Sequence, residues 1–332
     1  MRFKVICVLC LVLLIFSIGY ALQDEGLSGF LKIFFKEHKF SGEHSVIHAE
    51  DIITESPWVD VRAFGAIGNG VTDDTSPIQD AIDTCPTGGS VFFPVGSYLV
   101  SSTITVDREV HLRGEGTIVV DDGSNLDRVV DIQASADGTT LTGITIDQSK
   151  VTVSMGEGSG IFISADYCSL ENVTVVGQGD VFNEPFEACF DIYGAHCVLV
   201  GCVAREAAYA GFRCSGSKNT KIIGCKSLEW RYKGFVVNGS ASNIIIDSCI
   251  ASTQNGASSA TNGVLVSTGN HNLDTIILSN IIVDGDYTGT GMKITASEGY
   301  AVSNAHITNL SIKASNLEEG LGRVDELTNS DV

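Results

Sequence analysis

From residue 160 onward, short runs alternate apolar and polar residues, and the same two runs keep returning. The first reads Gly160-Ile161-Phe162-Ile163, Cys189-Phe190-Asp191-Ile192, Gly211-Phe212-Arg213-Cys214, Gly234-Phe235-Val236-Val237, Gly263-Val264-Leu265-Val266 and Gly291-Met292-Lys293-Ile294. The second reads Leu170-Glu171-Asn172-Val173, Leu199-Val200-Gly201-Cys202, Ile222-Ile223-Gly224-Cys225, Ile246-Asp247-Ser248-Cys249 and Leu278-Ser279-Asn280-Ile281. Alternation over a few positions is the period of a half-buried strand, and the glycine, asparagine and serine between runs mark turns. The leading apolar residues are 29, 22, 23, 29 and 28 positions apart. Units of this length, made of short strands without helices, cannot each bury an apolar face alone; stacked at about 4.8 Å they bury a continuous one. The leucine frame of a horseshoe repeat is missing, and unrelated strands of a sandwich would not hold one register through six units. The pattern therefore predicts an all-β chain, a single-stranded right-handed parallel β-helix, in which Phe190, Phe212 and Phe235 share one interior row.

Ahead of the repeats, Ser76-Pro77-Ile78-Gln79 places a capping-box serine and glutamine around a proline at the first helical position. This predicts a short helix over Pro77–Thr84 whose Ile78, Ala81 and Ile82 plug the open end of the stack. Without such a plug the terminal strands would expose backbone edges. Asp73 and Asp74 read as turn and helix-start residues rather than metal ligands.

The same segment carries a family likeness. Val59-Asp60-Val61-Arg62-Ala63-Phe64-Gly65-Ala66, Gly70-Val71-Thr72-Asp73-Asp74, Ile78-Gln79-Asp80-Ala81-Ile82 and Gly88-Gly89-Ser90-Val91-Phe92-Phe93-Pro94, followed by Gly96 and Tyr98, resemble the opening of pectate-lyase-like proteins. That superfamily includes rhamnogalacturonases, polygalacturonases, epimerases and phage tailspikes. With the repeats, the resemblance covers roughly residues 58–315, and it implies architecture rather than one reaction. The Asn-Thr-Asp, Asp-Asp, Gly-His-Gly and Arg-Ile-Lys blocks of polygalacturonases are absent between 150 and 300, so no catalytic role transfers from that family.

The N-terminus reads as a signal. Arg2 and Lys4 precede an apolar run over Val5–Ile18, and Gly19-Tyr20-Ala21 places small residues two apart. The run is shorter than the roughly 20 residues that span a bilayer. The resulting division is a signal peptide at 1–21, an extension with a short helix at 22–57, a cap with the first strands at 58–105, coils at 106–316 and an acidic tail at 317–332. His38, His44 and His48 in the extension lack partners at metal-ligand spacing. Removing the signal leaves 18 basic against 40 acidic residues, a net of −22. Such a charge argues against nucleic acid and anionic membrane surfaces as partners, and it leaves acidic sugars open if a local basic patch or a bridging cation exists. The expected location is secreted or extracytoplasmic, with no membrane contact after signal removal.

Unit lengths point to a site. Between the second-run anchor and the next first-run anchor the gaps are 17, 10, 10, 15 and 11 residues. Long connections at 176–187 and 252–262 thus form two walls, and the short turns 204–210 and 227–233 form a floor, the arrangement of a groove on a rigid scaffold. Aligned on the phenylalanines, Glu184, Glu206 and Glu229 form one column, and Glu187, Tyr209 and Tyr232 a second. Asp191 and Arg213 occupy the next outward strand position. Neighbouring glutamates about 5 Å apart would suit retaining glycoside hydrolysis and alternate ones about 10 Å apart would approach the wider spacing of inversion, and crowding of like charges would be expected to favour a proton donor among them. The catalytic candidates are therefore Glu206, Glu229, Glu184, Asp191 and Arg213. Alternatively the three glutamates hold Ca²⁺, an oxygen-ligated ion, and Arg213 or Lys233 acts as base in β-elimination on a uronate, as the family resemblance implies. Tyr209, Trp230, Arg231, Tyr232 and Lys233 are the substrate-binding candidates, the aromatic ones as flat faces for sugar rings. These features predict a secreted polysaccharide-active protein, a glycoside hydrolase or polysaccharide lyase; the alternative is a non-catalytic carbohydrate-binding or adhesion β-helix. The glutamate column is equally what repeat duplication and solvent-facing turns would leave behind.

Cysteines complete the pattern. Cys202, Cys225 and Cys249 fall in one inward column and Cys168 and Cys197 in another, where free thiols pack as small apolar side chains; a strained disulfide and a metal site are the alternatives. Asn172, Asn238 and Asn309 begin glycosylation sequons.

Overall fold

The computed structural model describes residues 58–314 and 327–328, apart from 125, 152–157, 179–187, 258–261 and 288–289. The signal and extension expected over 1–57 lie outside the described residues. Among the described residues the strands form three parallel sheets of 11, 10 and 8 strands. Each coil adds one strand to each sheet in turn, as in Ser169–Glu171, Thr174–Val176 and Ala188–Ile192, so the chain winds as a right-handed parallel β-helix. The register is the one the repeats predict: Phe190 pairs with Phe212, and Phe212 with Phe235. Their rings stack in the interior, with centroids 4.7 and 5.1 Å apart and planes within 1° and 9° of parallel.

The cap helix runs over Thr75–Thr84, two residues earlier than expected, and buries Ile78, Ala81 and Ile82. The capping box does not form. Gln79 instead reaches the first strand of the eight-stranded sheet, accepting from Thr105 N and donating to Thr105 O at 2.9 and 3.0 Å. Asp73 accepts from the Thr75 N–H and from the Thr75 and Ser101 hydroxyls. Asp74, fully buried, accepts from the Ile67 and Gly68 N–H groups at 2.7 and 2.9 Å. Backbone donors thus occupy both carboxylates.

Entry into the eight-stranded sheet breaks strict alternation. The glycine column precedes the inward phenylalanines and also faces inward: a Cβ on Gly211 would lie 2.1 Å from Ser227 Oγ, and one on Gly234 2.4 Å from Gly263 O. Two successive inward residues leave Ala188, Ala210 and Lys233 outward, three positions ahead of outward Asp191, Arg213 and Val236. Ala188, Ala210 and Val236 accordingly form a small apolar cluster with Tyr209 and Leu265, separate from the core.

Corners are turned by left-handed residues. One corner column holds Asn172, Gly201, Gly224, Ser248, Asn280 and Asn309, another Tyr167, His196, Asn219, Asn243, Thr275 and Asn304, all at positive φ. Asparagine tolerates this region, and its amide can bond the next coil: Asn309 Nδ2 donates to Asn280 Oδ1 and Asn243 Nδ2 to Asn219 Oδ1. The Asn309 side chain of the third sequon is therefore part of a ladder. The cysteine columns are interior, all eight described thiols are free, and Cys202, Cys225 and Cys249 each direct Sγ to a carbonyl of the preceding coil at 3.5–3.6 Å. Leu327–Thr328, within the acidic tail, pairs with the last coil of the largest sheet.

Polar groups between coils predict acid-sensitive folding. Hydrogen bonds from Ser279 and Asn280 hold Asp247 below the ordinary aspartate value of 3.8, and Asn304 and Ser303 do the same for Asp274. At Asp73, burial pushes the carboxyl up, but the Ser101 and Thr75 hydrogen bonds outweigh it and the net shift is downward. A depressed folded value contributes stability above the unfolded value, and that contribution is lost as pH falls through the folded one. Thermal melting is therefore expected to be flat with respect to these groups above about pH 5 and to drop below about pH 4. An Asp247→Asn, Asp274→Asn double variant should show a smaller acid drop than the parent.

Candidate active site

The eight-stranded sheet carries the candidate residues on its outward face and on the corner where the chain enters it. Asp191 and Arg213 are register neighbours on strands Ala188–Ile192 and Ala210–Ser215. Arg213 Nε donates to Asp191 Oδ1 at 2.8 Å, and a second guanidinium nitrogen reaches Asp191 Oδ2, a two-pronged ion pair. Although it points outward, the pair is buried, at 1% and 9% exposure. Burial works against the Arg213 charge, but the Asp191 carboxylate more than offsets it and raises its pKa above the ordinary guanidinium value. A guanidinium held this way is not a base. The base role considered for Arg213 is corrected on that ground.

Lys233 is the other basic candidate. Its backbone N–H donates to Tyr209 O at 2.8 Å, and its register partner one coil below is Ala210, the residue after Tyr209. Burial, aided by the nearby Lys293 charge, lowers the Lys233 pKa. Burial also pushes the Tyr209 phenol up, only partly countered by Arg213. The Tyr209 and Tyr232 rings stand 6.3 Å apart, and the Arg231 guanidinium lies 5.4 Å from the Tyr232 ring centre. Tyr209, Arg231, Tyr232 and Lys233 are all half-buried, and the structure gathers them at this corner.

Trp230 is different. It is fully buried, at 0% exposure, and belongs to the main core. Its ring cannot present a face to a sugar, so it leaves the substrate-binding set. The sequence held a signal for this: Ala207, one coil earlier and likewise directly after the corner glutamate, is small and apolar, and it is buried too.

Glu206 and Glu229 occupy equivalent corner positions with φ of 50° and 53°. Their N–H groups donate to Leu228 O and Ser252 O, while that of Gly177 donates to Arg205 O. The residue below Glu206 in this column is therefore Gly177 and not Glu184. Counting back from the phenylalanines misplaced Glu184 because the connection before Phe190 is longer than the next two, and the backbone ladder counts forward from the preceding strand. Glu184 and Glu187 lie outside the described residues, as do 179–187 of the first expected wall. The second wall begins as strand, over Ile250–Ala257, before 258–261, which also lie outside. Among the described residues no group of three His, Cys, Asp or Glu side chains could hold a metal, so the calcium reading rests on two glutamates there.

Residues 58–155 match the family model described as rhamnogalacturonase A/epimerase, pectate lyase-like. The chain is a right-handed parallel β-helix whose residues 58–155 are similar to that family. Among solved structures, the A-module of mannuronan C-5 epimerase AlgE6 from Azotobacter vinelandii has a TM-score of 0.55 at 21% identity, over 76% of this chain and 75% of that one. The hyperthermoactive exopolygalacturonase of Thermotoga maritima has a TM-score of 0.54 at 13% identity, over 80% and 78%. At these identities the likeness establishes the fold. In sequence, plasmin and fibronectin-binding protein A of Streptococcus pneumoniae is 33% identical over 90 residues, 24% of this chain and 12% of its own length. Mannuronan C5-epimerase AlgE1 of Azotobacter vinelandii is 43% identical over 65 residues, 17% of this β-helix and 5% of the epimerase. The β-helix thus spans a small part of these relatives. Among its described residues no helix is long and apolar enough to cross a membrane.

Proposed function

We propose that this β-helix is an exported enzyme that cleaves a uronate-containing polysaccharide by β-elimination on the outward face of its eight-stranded sheet. The supporting observation is the pair Lys233 and Tyr209, on adjacent coils and shifted in opposite directions, one toward a neutral amine and the other toward a retained phenol proton. Groups whose environments drive their proton affinities apart are what acid–base chemistry needs. The Lys233 amine takes the proton α to the uronate carboxyl, the glycosidic C–O bond breaks as the C=C bond forms, and the Tyr209 hydroxyl returns a proton to the leaving oxygen. Glu206, Glu229, Arg231 and Tyr232 bind sugar hydroxyls and ring faces at the entrance. Asp191 and Arg213 hold the strand positions beneath. Similarity to polysaccharide-active relatives supports the substrate class.

Incubating the protein with plant, algal and bacterial polysaccharides tests this reading. Unsaturated uronate ends are expected, with a rate that rises with pH at lower pH than an ordinary lysine would allow. Lys233→Met is expected to lower kcat by about 10²–10⁴, while Glu206→Gln and Glu229→Gln retain cleavage. Reducing ends without unsaturation, lost in the two Gln variants, would replace elimination with hydrolysis by the glutamates. Retention of a polysaccharide without cleavage would make the chain a binder.

A further inference from the structure

We propose that Tyr167 and Tyr193 form a stacking subsite for an uncharged pyranose ring of the same polysaccharide, where the chain leaves the eight-stranded sheet; the inference rests on the polysaccharide reading above. Both tyrosines are exposed, at 60% and 42%. Tyr193 lies two residues beyond Asp191, so the patch continues from the site already described. Its ring contacts Phe162 at 5.1 Å, and the Arg128 guanidinium covers the Phe162 ring at 3.4 Å.

The backbone at Tyr167 argues for a role of the ring beyond folding. Tyr167 and His196 sit at φ 59° in a corner column that elsewhere holds Asn219, Asn243, Thr275 and Asn304. A bulky side chain in the left-handed region is strained where asparagine is tolerated, and strain of this kind gathers at functional positions. The two aromatic members replace the amide ladder with a ring stack at 4.7 Å and 7°. Neither is buried in the core. Below Tyr167 the column position is Gly138, whose N–H donates to Asp166 O just as that of Tyr167 donates to Ala195 O. No side chain projects from the glycine, so the outer face of the Tyr167 ring stays uncovered. The Glu109 carboxylate borders the gap, 3.3 Å from where a Gly138 Cβ would stand. An aromatic roof with a carboxylate beside it suits the C–H face and hydroxyls of a neutral sugar, and it repels a uronate.

The test is affinity electrophoresis of the full chain in gels containing a neutral glucan, galactan or mannan. At least one neutral glycan is expected to retard the protein. Tyr167→Asn, the residue type found further along the column at Asn219 and Asn243, should weaken that retardation about tenfold while leaving the melting temperature unchanged or higher. Tyr193→Ser, copying Ser215 of the next coil, is expected to weaken it as well and serves if the first variant folds poorly. Equal retardation of parent and both tyrosine variants, or none by any neutral glycan, would overturn the subsite. Either result would leave uronate cleavage, assayed separately, to stand or fall alone.

Discussion

Phe212→Ala is expected to destabilise the β-helix by about 3–5 kcal/mol, near the top of the range for a single core truncation. The ring is fully buried and sandwiched between Phe190 and Phe235 at 4.7 and 5.1 Å. Coils above and below are held at fixed spacing by backbone ladders, so the cavity cannot close by letting neighbours approach. Because each coil contacts only its neighbours, the damage should also lower cooperativity between the two halves of the stack. Urea unfolding checks this through a shift in midpoint, together with any change in slope. Phe212→Leu, which keeps most of the volume, should cost much less. A loss below about 1 kcal/mol for the alanine variant would mean the ring is not the packed layer described.

Breaking the Asp191–Arg213 pair from one side should be comparably damaging. Asp191→Ala leaves a guanidinium at 9% exposure without its two-pronged partner, and such an orphaned buried charge costs about 3–5 kcal/mol. Removing both charges tells a different story. Asp191→Leu combined with Arg213→Met would extend the neighbouring apolar cluster of Ala188, Ala210 and Val236, and replacing a buried pair with packed apolar groups is often neutral or stabilising. The double variant is therefore expected to recover most of the lost stability, giving a large coupling energy in a double-mutant cycle. Two single losses that simply add would show that the ion pair does not form. If the recovered double variant also cleaves polysaccharide normally, the pair is scaffold and carries no chemistry.

The fold was legible because every coil repeats it. Glycine-phenylalanine pairs at 211, 234 and their equivalents set the register, and the column Cys202, Cys225, Cys249 marked an interior position independently. The site was less legible because it lies where repetition fails. Corners interrupt the period-two rule: Trp230 follows a left-handed glutamate and turns inward, which alternation alone cannot reveal. Glu184 precedes Phe190 by the same count as Glu206 precedes Phe212, but an insertion between strands destroys that equivalence. Asp191 and Arg213 were placed correctly as neighbours, yet nothing in a pair of charged outward residues announces that they are buried. Tyr167 and His196 were missed because the corner preceding the second run carries no apolar anchor; aligning that column would have set two aromatic rings among asparagines. The Lys233 and Tyr209 shifts depend on burial, a property of three coils together.

The most direct test of the central claim is a crystal structure of the full chain with a bound oligosaccharide taken from whichever polysaccharide it cleaves or retains. Sugar density is predicted over Lys233 and Tyr209, continuing past Arg213 toward Tyr193 on the outward face of the eight-stranded sheet. A saccharide lying instead on either of the other two sheets, with this face bare, would contradict the account.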